Sequence, residues 1–133
     1  MEREEIVSRA RLVGQQRNYI EREVERMMLS MLDLNNSLTT IAQMKEEQGL
    51  VPVGGGAFIK ARLEAKKVYI PVGANYIMEY DAEGAKKEID ARMKMTEAAI
   101  QNLRNELRKA DEEFARLEKA YREKGGRAHE EAG

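Results

Sequence analysis

Apolar residues in the first third of the chain step by alternating fours and threes. They run Ile6, Ala10, Val13, Ile20, Val24, Met27, Met31, Leu34, Leu38 and Ile41, with only Arg17 interrupting. That spacing is a heptad seam and predicts a coiled-coil helix over residues 1–48. Gly49 is placed to serve as its C-terminal cap, with Pro52 close behind. The last third repeats the pattern through Ile89, Met93, Thr96, Ile100, Leu103, Leu107, Ala110, Phe114, Leu117 and Tyr121. It predicts a second helix over residues 81–124. Asp81 is suited to be its N-cap, and Glu83 favours the positive end of the helix dipole. Gly125 and Gly126 are expected to end it, which leaves residues 125–133 as a disordered tail.

The two seams are each about six heptads long, so each helix should span roughly 60–65 Å. Equal lengths favour an antiparallel hairpin in which facing residue numbers add to about 127. Leu38 then meets Ile89, Met27 meets Ile100, Ile20 meets Leu107 and Val13 meets Phe114. Arg17 falls opposite Ala110, where a small partner leaves room for its stem. Met28, Leu29 and Leu32 lie off the seam. Met28 is expected to flank the core, while Leu29 and Leu32 call for a neighbouring subunit or a captured ligand. Val7 and Leu12 are off the seam near the free end. Gly14 costs about 1 kcal/mol against alanine in a helix; it either loosens that end or is tolerated at a solvated position.

Residues 49–80 break the helical period. LVPV and AFIKARL flank GGG, and KVYIPV and NYIMEY flank GA, so two β-hairpins are expected. Pro52 and Pro71 cannot donate to a ladder and belong at an edge or bulge. The linking EAKK prefers helix to turn. Two lone hairpins are marginal in water, and their unpaired edges invite aggregation. Pairing with the same segment of other subunits, up to a closed barrel, removes the problem. On this reading Val53, Phe58, Ile59, Val68, Ile70, Val72, Tyr76 and Met78 include the residues buried between subunits. The expected fold is mainly α: a long antiparallel two-helix coiled coil with two inserted hairpins that form an intersubunit platform.

Composition narrows the function. Of 133 residues, 35% are charged and 5% aromatic, which suits a coiled coil better than a thick globular core. The net charge of −1 gives no global field toward nucleic acid or an anionic membrane. Cysteine is absent, so disulfides and thiolate metal sites are excluded. No apolar run approaches the ~20 residues of a membrane span. The amino terminus lacks a signal-peptide apolar stretch, and a cytoplasmic location is expected. His129, the one histidine, reads as a solvated tail residue. Glu112–Glu113 and Glu130–Glu131 are adjacent pairs that do not face each other on a helix. The glycines at 54–56 lack the Lys-Ser/Thr ending of a phosphate loop. Lys60, Arg62, Lys66 and Lys67 make a modest basic group, whose neighbouring aromatics are expected to pack into the platform rather than stack on bases. No enzyme, metal or cofactor is expected.

Two helices of matched length flanking two hairpins, with LVPVGGGAFIKA at the first, resemble the alpha subunit of archaeal prefoldin. The resemblance covers residues 2–124, and Val51–Gly56 followed by Phe58 is its most specific part. It implies a hexamer with prefoldin beta subunits, two alpha and four beta, built on a double β-barrel. It further implies ATP-independent binding of unfolded polypeptides at the coiled-coil tips and their delivery to a group II chaperonin. The tip residues here would be Ile6, Val7, Leu12, Val13, Leu117, Ala120 and Tyr121. The alternative is a coiled-coil scaffold or adaptor that binds one folded partner in a larger assembly.

Overall fold

The computed structural model describes residues 2–45, 47–64 and 67–132, with residues 126–132 described by backbone alone. The element order is α1 (Arg3–Gln43), β1 (Glu47–Gly54), β2 (Ala57–Leu63), β3 (Val68–Gly73), β4 (Tyr76–Tyr80) and α2 (Ala82–Ala132). This is the expected class, two long helices with two hairpins between them. Of the predicted EAKK link, Ala65 and Lys66 lie outside the described residues, as do the side chains of His129, Glu130 and Glu131.

Helix boundaries differ from the seam-based expectation at two places. α1 ends at Gln43, short of residue 48. Its last stretch is rich in Asn, Ser and Thr, and the Thr39 and Thr40 hydroxyls donate to the carbonyls of Asn35 and Asn36. Such side chains compete with the helix ladder. Glu47–Gly49 instead pair with Ala61–Leu63. Gly49 is therefore a strand residue and not a helix cap. A Cβ there would lie 2.8 Å from the end of the Leu63 side chain, which would have to turn aside. At the other end, α2 continues through Gly125 and Gly126 to Ala132. Two glycines cost about 1 kcal/mol each against alanine and do not by themselves stop a helix. The start of α2 is as predicted: the Asp81 carboxylate accepts from the Gly84 N–H at 2.6 Å.

Each hairpin is a separate two-stranded antiparallel sheet. Their turns match. Gly54, Gly55 and Gly56 have φ of 103°, 58° and 77°, and Gly73, Ala74 and Asn75 have 106°, 50° and 64°. Positive φ at both central residues makes the turn twist with the strands. The register slips between Pro52 and Gly54 and again between Pro71 and Gly73, so Val53 and Val72 are bulged out. Each bulge sets its proline against the second residue of the following strand, Pro52 with Phe58 and Pro71 with Ile77. Counting pairs outward from the turn, this is a non-hydrogen-bonded pair, in which the proline nitrogen points away from its partner and no ladder bond is lost.

The chain divides into two compact units, Met1–Ser30 with Thr96–Gly133, and Met31–Met95. In the first, Ile6, Val13, Ala110 and Leu117 are buried together, with Ala10, Phe114 and Ala120 packed against them. Arg17 holds its guanidinium over the Phe114 ring and against the Asp111 carboxylate. It thus sits beside Ala110, as the register requires. Gly14 has open space where a Cβ would be, so it answers no packing need. In the second unit, Ile41, Ile70, Ala85 and Ile89 are buried together, flanked by Leu34, Leu38, Val68, Tyr80, Ala82 and Met93. Leu38 and Ile89 share this cluster, again as the register predicts.

Candidate functional site

The first unit carries an apolar groove of 260 Å³ between the start of α1 and the far part of α2. Ile6, Val7, Ala10, Phe114, Leu117, Glu118 and Tyr121 line it. Heptad spacing sends Ile6, Ala10, Leu117 and Tyr121 into the seam, where Tyr121 stays exposed, while Val7 flanks it. The seven expected tip residues separate into two groups. Ile6 is only 2% exposed, and Val13 and Leu117 are also buried. Ala120 is half-buried against the same cluster. The structure corrects this part of the expectation: Ile6 and Leu117 line the groove from within the seam, while Val13 and Ala120 pack in the same cluster and do not reach the groove. Val7, Leu12 and Tyr121 are exposed, Leu12 at 64%. Ala10 and Phe114 line the groove although sequence reasoning kept them as seam residues only. The Arg3 guanidinium lies 4.1 Å from the Tyr121 ring centroid, and Arg9 pairs with Glu113 at 2.9 Å. The groove is thus greasy within and charged at its rim.

The second unit carries the hairpins, and with them most of the exposed large apolar side chains among the described residues. Val53, Phe58, Ile59, Val72, Tyr76 and Met78, all expected between subunits, are exposed in this chain. Val68 is half-buried. Ile70 is a correction: at 6% exposure it belongs to the chain's own core with Ile41 and Ile89, and it has little surface left for a neighbour. Leu50, Leu63, Tyr69 and Ile77 are exposed too and escaped the sequence reading. Their signal was strand alternation, which puts apolar residues on both faces of each hairpin. Lys67, just before β3, pairs with Glu79 of β4 at 2.9 Å. That hydrogen bond and charge hold the Glu79 carboxyl below the usual carboxylate range and raise the Lys67 ammonium.

Met28, Leu29 and Leu32 are exposed along α1. Among the described residues, no three His, Cys, Asp or Glu side chains come together as a metal site, and no helix is long and apolar enough to cross a membrane.

Closely paired helix termini with an apolar groove, and two-stranded hairpins with exposed apolar side chains, define a coiled-coil protein with inserted hairpins. The family model described as prefoldin subunit matches residues 13–127. The chain belongs to the prefoldin family, and its relatives are archaeal alpha subunits. Prefoldin subunit alpha of Methanospirillum hungatei is 30% identical over 117 residues, covering 82% of this chain and 78% of that one. The Methanococcus aeolicus alpha subunit is 36% identical over 72 residues, 53% of this chain, and that match spans half the length of the relative. Among solved structures, a chain of filamentous PFD from Methanocaldococcus jannaschii superposes with a TM-score of 0.69 at 25% identity, covering 85% of this chain and 95% of that one. The prefoldin family is a family of chaperones and not of enzymes.

Proposed function

We propose that this chain is the alpha subunit of an ATP-independent cytoplasmic chaperone, which captures unfolded polypeptides at its paired helix termini and delivers them to a group II chaperonin. The hairpins join it to beta subunits, two alpha and four beta in each complex. The observation that carries the reading is the groove beside Val7 and Tyr121. Apolar side chains that would otherwise face water gain roughly 25 cal/mol for each Å² covered, before the costs of binding. A groove this small holds one or two side chains of a client, so each terminus binds weakly. Several termini acting on one chain raise avidity through effective concentration. No fixed pocket reads a sequence, and client choice is accordingly broad.

The test uses the exposed residues, since changing them leaves the buried seam residues Ile6, Val13 and Leu117 in place. The triple variant Val7→Ser, Leu12→Ser, Tyr121→Ser, assembled with beta subunits, should keep the mass and melting of the parent complex. It should suppress aggregation of denatured clients several-fold less well, with the beta termini accounting for what remains. Undiminished protection across a panel of clients would move the capture surface elsewhere, with Met28, Leu29 and Leu32 next in line.

A further inference from the structure

α2 runs on through Gly125, and the space a side chain would take there is used by Arg3. A Cβ on Gly125 would stand 3.0 Å from an Arg3 guanidinium nitrogen, and that end of the side chain would have to move aside. From the first turn of α1 the guanidinium reaches across to α2 and lies 4.1 Å from the centre of the Tyr121 ring. Arg3 and Val7 are one helical turn apart, so this cation sits at the edge of the apolar groove that Val7 and Tyr121 line. Other charges on the rim are compensated. Glu118 pairs with Arg122 at 2.6 Å, and Arg9 with Glu113 at 2.9 Å. Glu4 and Glu5 line a different depression, with Ser8, Arg9 and Leu12. Among the described residues Arg3 has the Tyr121 ring and no carboxylate partner. Stacking occupies the face of a guanidinium and leaves its N–H edge, held in a fixed plane, open to a carboxylate.

Resting on the reading that this groove captures unfolded chains, we propose that Arg3 biases what it takes, toward apolar client side chains that have Asp or Glu as a near neighbour in sequence. The apolar group lies against Val7 and Tyr121, and the carboxylate meets the N–H edge of Arg3. A basic neighbour instead sets two cations side by side. Charge placed in this way discriminates between partners more than it adds affinity, so the client range stays broad but is weighted.

Three unstructured fluorescent peptides test this. They share one apolar core and carry Asp, Ser or Lys on both sides of it. Anisotropy reads their dissociation constants from the full-length chain assembled with beta subunits. Because the beta termini are the same in every complex, changes in the ratio between peptides report on this chain. The parent complex should favour the Asp peptide over the Lys peptide about threefold more than the Arg3→Gln complex does, the size of a single exposed ion pair. Arg3→Glu should move the ratio a further step in the same direction, which a purely structural role for Arg3 does not produce. Gly125→Leu, which displaces the guanidinium and keeps its charge, should lower the ratio less than Arg3→Glu. All these differences should shrink as salt is raised. An unchanged ratio in both Arg3 variants, or differences that persist at high salt, would overturn the role of Arg3 while leaving capture at the groove in place. If the complex carrying Val7→Ser, Leu12→Ser and Tyr121→Ser bound all three peptides as the parent does, the capture reading itself would fall.

Discussion

In the second hairpin the residue before the proline is Ile70, buried with Ile41, Ala85 and Ile89. In the first hairpin the same place is taken by Val51, half-buried and outside that cluster. Turn, bulge and proline are shared, yet the anchoring is opposite. The second hairpin sends Val68, Ile70 and Tyr80 to the helices and is bonded to α2 through Arg92. Among the described residues, the first sends none to the buried cluster. A shared backbone plan thus does not imply a shared role. One hairpin belongs to the subunit's own fold. The other is a two-stranded sheet with apolar residues on both faces, which is marginal unless a neighbour covers it.

Substitutions at the two equivalent positions should separate these roles. Ile70→Ala removes a buried branched side chain and should cost about 2–4 kcal/mol in thermal or urea unfolding of the chain. Val51→Ala should shift the same transition by less than about 1 kcal/mol. Equal effects would mean that the first hairpin is also anchored. Smaller changes are expected at the turns. Ala74 holds a positive φ that glycine adopts without strain. Ala74→Gly should therefore stabilise the chain by about 0.5 kcal/mol, after the added entropy of the unfolded state is set against the relief. Gly55→Ala places a Cβ at the matching position and should destabilise the first hairpin by about 1 kcal/mol. That loss should appear in amide exchange of β1 and β2 and leave the global melting temperature unmoved.

The sequence carried the helical seam legibly, because burial in a coiled coil follows spacing alone. Ile6, Val13, Ile20, Ile100, Ala110 and Leu117 are all buried, and Arg17 meets its expected neighbourhood. Helix ends were harder, since at Glu47–Gly49 a strand partner far along the chain outcompetes local helix propensity. The split of hairpin residues between the chain's own core and its exposed surface was not legible either. Ile70 and Val51 occupy the same place in the repeated motif, and only the packing of the helices distinguishes them. The repeat of Pro-Val-Gly was visible in the sequence and would have revealed the common turn. At the groove, the seam residues Ile6, Val13 and Leu117 read as tip residues because spacing places them at the helix ends without telling which way they face.

Amide hydrogen exchange, resolved by hairpin in the full-length chain, tests the contrast most directly. At high dilution, β3 and β4 should exchange with the protection of the neighbouring helices. β1 and β2 should exchange much faster and gain protection as the chain is concentrated or assembled with beta subunits. Equal protection of the two hairpins at dilution, unchanged on assembly, would contradict the division between an anchored hairpin and one that waits for a neighbour.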